Sequence, residues 1–470
     1  MLFNSLPFLL FFPAVCMVYY CIPAAQLRLR NFFLLAASYF FYMNWEPAYA
    51  LLLLTSTTVT YFAAVGIAHY EDRRKKKVCL VTSLVLNLSL LVLFKYYNFL
   101  ASNIEALMGW CGLSVDFPVS KLLLPVGISF YTFQALGYTI DVYRGTTKVE
   151  RNFWTYALFV SFFPQLVAGP IERSNNLLPQ FKQPHTFDYD NGMKGLRMMI
   201  WGYFLKLVLA DRCGTYVDAI FDHLNMHNGG SYLMASLLFP FQIYGDFASY
   251  SLIAIGAARI LGFRLMQNFR NPYLSCSVGE FWHRWHISLS TWFKDYVYIP
   301  LGGNRVGRQR QYVNLMVTFI VSGLWHGANW TFLCWGALHG MLLCIEKAIG
   351  YGKNAATSGI GKLGRWLLTF MLVCLAWIFF RADTLTDAGI VFKGIFTNLG
   401  TPFTRVSDFC IIGASLLAML LDGIRQERHD HIPLNAKTKT ILLHVGLALM
   451  IAVICLFGVL DSSQFIYFQF

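Results

Sequence analysis

The chain has 470 residues, of which 57% are hydrophobic, 17% aromatic and only 13% charged. A soluble globular chain carries roughly 25% charged residues, so this one lacks the polar surface to stay in water and reads as an all-α polytopic membrane protein. Disorder, collagen-like repeats and a secreted disulfide scaffold are excluded by the same figures, because apolar content is high, 36 Gly and 15 Pro are ordinary numbers, and 11 Cys are thinly spread. Most of the thiols (Cys16, Cys21, Cys79, Cys334, Cys344, Cys374, Cys410, Cys455) sit in apolar runs, where they act as small hydrophobes.

From Met1 to Leu27 the chain is uncharged and long enough to cross the roughly 30 Å hydrocarbon core. No basic segment precedes it as in a signal peptide, so it is expected to stay as the first span. Further apolar runs follow at 31–42, 47–68, 78–94, 122–140, 153–171, 193–210, 229–258, 312–345, 366–380, 409–421 and 445–460. Some are short or interrupted. Pro125, Gly127 and Gly137 break one, and Pro170 follows another, which predicts segments that dip into the membrane where protein covers their backbone. With no internal repeat, low-complexity tract or long linker, the economical reading is one transmembrane domain over 1–470, with about eleven spans plus re-entrant and interfacial helices.

The net charge is 37 − 24 = +13. Its excess lies in short loops, where cytoplasmic retention and anionic membrane lipids account for it without nucleic acid. Arg28 and Arg30 follow the first run and Arg73 to Lys77 the third, which predicts both loops in the cytoplasm and the N-terminus outside. Arg305, Arg308 and Arg310 fall on the cytoplasmic side in the same scheme, as does the stretch holding Arg425, Arg428, Lys437 and Lys439 if it precedes the last span.

Ionisable residues inside apolar segments are costly and mark functional sites by default. The segment Glu280 to Gly303 reads E-F-W-H-R-W-H-I-S-L-S-T-W-F-K-D-Y-V-Y-I-P-L-G-G. On a continuous helix His283, His286, Ser290 and Lys294 fall near one face, and by itself this reads as an interfacial helix with Trp282, Trp285 and Trp292 as belt residues. V-S-G-L-W-H-G-A-N-W follows at 321–330, with His326 the sole Asp, Glu, Lys, Arg or His between Tyr312 and Leu338. Gly323, Gly327 and Ala328 are expected to leave room beside its imidazole, and a neutral imidazole is a natural proton acceptor. His339, thirteen residues on, turns to another face of a continuous helix and reads as a packing residue or one that supports the site's own groups from behind. His283 and His286 have metal-ligand spacing, but no nearby Cys or second pair completes a set, so no metal is expected. Phosphate-loop, nucleophile-elbow and H-E-x-x-H patterns are absent from the sequence.

F-W-H-R-W-H-I-S-L-S-T-W-F-K-D-Y-V-Y-I-P-L-G-G-N-R and G-L-W-H-G-A-N-W-T-F together resemble the membrane-bound O-acyltransferases, in particular the bacterial branch that acetylates alginate and, more distantly, the D-alanyl transfer proteins of teichoic acid. P-V-G-I-S-F-Y-T-F-Q at 125–134, F-P-Q-L-V-A-G-P-I-E-R at 163–173, W-I-F-F-R-A at 377–382 and F-I-Y-F-Q-F at 465–470 extend the likeness over nearly the whole chain. The resemblance implies helices around a central tunnel, with His326 as the catalytic histidine and His286 as a second histidine beside it. His283 stands where relatives more often carry Arg, which argues against a catalytic role. The resemblance further implies a cytoplasmic thioester donor, most simply acetyl-CoA, and no tightly bound cofactor. Asn329, Trp325, Lys294 and Arg305 are candidate contacts for donor or oxyanion, with Arg308 and Arg310 as further candidates for the donor phosphates. An exported polysaccharide is the implied final acceptor, reached through an extracytoplasmic acetyltransferase partner, and the location implied is the bacterial inner membrane. Two rivals are D-alanyl transfer from a carrier-protein thioester and a polysaccharide or lipid transporter built on Lys206, Asp246 and Glu280.

Overall fold

Prolines and glycines decide where the apolar segments break. A computed structural model describes residues 1–120, 122–351, 359–404, 406–428 and 436–459, and every regular element among them is a helix. Five helices are long and apolar enough to cross a membrane: Tyr49–His69, Arg73–Trp110, Trp330–Ile349, Gly359–Arg381 and Val406–Glu427, with shorter apolar helices at Leu6–Cys21 and Ile441–Phe457. Of the other apolar runs, 31–42 lies within the single helix Leu27–Met43 and 229–258 within the 32-residue helix Gly229–Ile260, whereas 153–171 is broken into shorter pieces. The uncharged run 1–27 forms a helix only over Leu6–Cys21, because Ile22 precedes Pro23 and takes the extended backbone that position favours (φ −72°, ψ 127°). Sixteen residues rise about 24 Å, short of a full crossing. The motif at 465–470 and the side chains of Arg428, Lys437 and Lys439 lie outside the described residues.

Two compact units make up the chain, Met1–Gly195 with Ala254–Met266 and Leu196–Ile253 with Gln267–Phe470. In the first, Tyr49–His69, Arg73–Leu91 and Ile128–Arg144 pack on one another, and Leu27–Met43 packs on Phe153–Ser161. The interrupted run 122–140 begins its helix only after Gly127, whose φ of 75° and approach to the Leu166 carbonyl leave no space for a side chain. The run 153–171 yields a nine-residue helix, the single turn Phe163–Leu166 and then non-helical chain through Pro170, as its prolines dictate.

Glu172, 2% exposed, pins the segment after Pro170. Its carboxylate accepts from Asn176 Nδ2 at 2.7 Å and from the Met266 backbone N–H. Burial outweighs these bonds and pushes its pKa from the ordinary 4.5 up to about 7.

In the second unit the run 312–345 is a helical hairpin, Arg308–His326 and Trp330–Ile349, whose arms meet at glycines. A Cβ on Gly323 would stand 2.2 Å from the Phe332 carbonyl oxygen, and one on Gly336 2.3 Å from that of Phe319. Small residues let the backbones approach, as in tightly packed transmembrane pairs.

The native state keeps Glu172 protonated up to about pH 7, whereas the unfolded chain releases the proton near 4.5. The carboxyl's contribution to stability is therefore complete below 4.5 and is lost as pH rises to 7, about 3 kcal/mol in all. Thermal unfolding in detergent between pH 4.5 and 8 is expected to show Glu172→Gln with a shallower decline than the parent protein; equal slopes would refute this.

Candidate functional site

Both candidate histidines belong to the second unit, and each is placed by a break in a helix. The segment 280–294 is not one helix. Val278–Arg284 ends before Trp285, Ile287–Phe293 begins after His286, and His286 has φ 43° and ψ 53°. A side chain seldom adopts that left-handed conformation without support. Asn268, fully buried, supplies it: its carbonyl accepts from the Ile287 N–H at 2.8 Å, and its Oδ1 accepts from His286 Nδ1 at 3.1 Å and Ser288 Oγ at 2.9 Å. The Ser288 N–H, which can only donate, also reaches Oδ1 at 3.4 Å and fixes the orientation of the amide, leaving Nδ2 to donate to Ser251 Oγ at 3.0 Å. His286 Nδ1 therefore carries the proton and Nε2 the lone pair.

The break corrects two expectations. His283, His286, Ser290 and Lys294 do not share a helix face: His286 is 0% exposed, while His283 and Lys294 are exposed. Trp282, Trp285 and Trp292 are not belt residues but buried core, because the kink turns this segment inward. His283 Nδ1 lies 2.6 Å from the Gly279 carbonyl oxygen of its own helix.

His326 is the last residue of Arg308–His326 and is buried. Its ring lies 4.9 Å from Trp325, 5.0 Å from Trp335 and 5.4 Å from Phe380, centroid to centroid, each close to edge-on. The room expected beside it from glycine is occupied, since a Cβ on Gly327 would stand 2.0 Å from the Phe332 ring and Gly323 is filled by the hairpin partner. Trp325 links the two histidines, with its ring 4.9 Å from His326 and 6.1 Å from His286. Phe247 closes on His286 at 4.6 Å.

The chain turns at Gly327 to Asn329, so His339 does not continue the His326 helix. It returns on the next one, and Trp335 lies 5.0 Å from both His326 and His339. Asn329 caps that helix: its Oδ1 accepts from the Thr331 N–H at 3.1 Å and its Nδ2 donates to the Asp383 carbonyl at 2.7 Å. Arg305, Arg308 and Arg310 are exposed. Eighteen residues of helix separate Arg308 from His326, about 27 Å along the axis. Lys206, 1% exposed, is held 2.7 Å from both Asp211 and Asp246, and Glu280 pairs with Arg284 at 2.7 Å.

The site thus joins His286, Trp325 and His326 and leaves Lys294 and the arginines on the surface. Asn268, Trp335 and Phe380 escape sequence reasoning. Only Phe380 lay within a quoted motif, and nothing in the string N-F-R-N at 268–271 marks a buried amide.

Residues 149–381 match the family model of membrane-bound O-acyltransferases. A probable alginate O-acetylase of Pseudomonas aeruginosa is 41% identical over 400 residues, covering 84% of this chain and 75% of the relative. The peptidoglycan O-acetyltransferase of Helicobacter pylori is 37% identical over 436 residues, 87% of this chain and 82% of that one. The teichoic acid D-alanyltransferase of Streptococcus thermophilus is 29% identical over 286 residues, 55% of this chain and 69% of that one.

Asn268→Ala strips His286 and Ser288 of a buried acceptor, at about 1–3 kcal/mol for each unsatisfied group. A melting temperature in nanodiscs well below the parent's is the expected result; an unchanged one would remove Asn268 from its role.

Proposed function

The chain belongs to the membrane-bound O-acyltransferase family and is a multi-pass membrane acyltransferase, and from that premise we propose that it carries an acetyl group from a cytoplasmic thioester, most simply acetyl-CoA, past buried His326 to a hydroxyl. The final acceptor in this reading is an exported polysaccharide, reached through an extracytoplasmic partner protein in the inner membrane of a bacterium whose chain N-terminus faces outward. Membership makes the chain an enzyme, so the transport reading is set aside; of the charges it used, Lys206 is ion-paired with Asp246 and with Asp211, and Glu280 with Arg284.

One observation carries the proposal. His326 is an imidazole buried at a helix end among three aromatic rings, beside a second buried histidine whose tautomer is fixed. Acyl transfer from a thioester needs a base that is neutral, oriented and shielded from water, so that the acceptor hydroxyl rather than water attacks. His326 supplies the base, taking the hydroxyl proton as the oxygen adds to the carbonyl. His286, bridged to it by Trp325, completes the buried pair, with its Nδ1 proton held by Asn268. Acetyl is preferred over D-alanyl because the O-acetylating relatives match more of the chain at higher identity. Direct acylation of a partner's serine fits the same chemistry, since only the hydroxyl differs.

The test uses the full chain in nanodiscs with labelled acetyl-CoA and an acceptor hydroxyl. His326→Ala is expected to lower turnover by about 10²- to 10⁴-fold, while His283→Ala, on the exposed helix end, stays near the parent value. Equal turnover in His326→Ala, or transfer from a carrier thioester but not from acetyl-CoA, would overturn the base or the donor respectively.

A further inference from the structure

Beside His326 lies a cluster of buried N–H donors. Trp285, Trp335 and Trp377 are each no more than 1% exposed, and their indole N–H groups have no hydrogen-bond acceptor among the described residues. His339, 0% exposed, adds a fourth donor. Its Nδ1 accepts from Trp282 Nε1 at 3.3 Å, so the neutral ring carries its proton on Nε2, and Nε2 also lacks a partner among the described residues.

The four are contiguous. Trp335 lies 5.0 Å from His339 and 5.7 Å from Trp377, with which it stacks, and Trp377 lies 5.2 Å from Trp285. Trp335 also stands 5.0 Å from His326. A buried donor without an acceptor is costly, and native interiors seldom keep one, let alone four together, without a purpose. Packing alone does not call for them, since Phe or Leu would fill apolar space without leaving a polar group unpaired. Four buried N–H groups on rings that touch in succession, none with an acceptor among the described residues, suit a ligand that only accepts, such as the oxygen of an acyl group.

We propose that the N–H groups of Trp335 and His339, flanked by those of Trp377 and Trp285, form the donor cradle for the acyl carbonyl of the thioester and for the oxyanion it becomes. The inference rests on the acyl-transfer reading above. As the acceptor oxygen bonds to the carbonyl carbon, its proton passes to His326 and the carbonyl π pair moves onto the oxygen held by the cradle. Collapse restores C=O and breaks the C–S bond, and the proton on His326 goes to the departing thiolate, leaving an ester and a free thiol. Donors already in place, in a dry site, stabilise that charge without reorganising. Trp335 is the catalytic member next to the base; Trp285, the farthest along the chain of rings, positions.

The test replaces Trp335, and separately Trp377, with benzothienylalanine, which exchanges the indole N–H for sulfur at nearly constant shape, in the full chain in nanodiscs. Three readouts are taken: melting temperature, thioester turnover, and the infrared carbonyl band of ¹³C-acetyl-CoA bound to His326→Ala protein. The cradle predicts an unchanged or higher melting temperature, because an unpaired donor has been removed. It also predicts turnover lower by about 10²- to 10³-fold for Trp335, and a carbonyl band that shifts back toward its free frequency when the N–H is gone. A lower melting temperature shows that the N–H has a partner within the protein and overturns the cradle, as do unchanged turnover and an unmoved band. Parent protein that turns over neither acetyl-CoA nor a carrier-bound thioester overturns the acyl-transfer reading itself, and is told apart because no variant is needed to see it.

Discussion

The hydrogen bonds that Asn268 makes to the His286 turn are the constraint on which the arrangement of the site depends. A non-glycine residue at φ 43° is held there by one residue, Asn268, whose side-chain Oδ1 accepts from His286 and Ser288 while its backbone carbonyl accepts from the Ile287 N–H. The turn divides an aromatic segment into two short helices, carries Trp285 into the core and brings the His286 ring against Trp325. Without it the segment would run on as an amphipathic helix, with its histidines spread over one face and its tryptophans at the membrane boundary. Local strain of this kind is kept where the surroundings over-determine it.

A second constraint comes from glycine. Gly323 and Gly336 let the two arms of the hairpin touch backbone to backbone, and the turn at Gly327 then sets Trp335 between His326 and His339. These glycines serve helix packing, and the imidazole is enclosed by aromatic rings. The consequence is chemical. A ring of Trp and Phe side chains offers a charge little stabilisation except through N–H groups, so in the proposed reading acid–base chemistry and oxyanion stabilisation fall to different members of one cluster.

Much of this was legible in the sequence, and the rest was hidden for definable reasons. Composition and long apolar runs gave the helical membrane class, and a lone histidine in an apolar run singled out His326, because burying an ionisable group is expensive whatever the detailed geometry. His286 could be named only from a family resemblance. Helical periodicity misplaced it, since the break falls at residues with no proline or glycine to announce it, and the side chain that stabilises the break is eighteen positions away at Asn268. His339 was read as packing or as a support behind the site on the assumption of a continuous helix; a hairpin brings it back beside Trp335. Arg308 and His326 stand eighteen positions apart, about 27 Å along one helix, so the distance of this charge from the imidazole follows from their spacing once the segment is helical.

The central claim is that the acyl carbonyl is presented to His326 inside this aromatic enclosure. Cryo-electron microscopy of the full chain in nanodiscs with acetonyl-CoA, a ketone that cannot release its thiol, tests it most directly. The account predicts the ketone carbon within hydroxyl-attack distance of a site facing His326, with its oxygen toward Trp335. An analogue seated with its carbonyl away from both residues would contradict it.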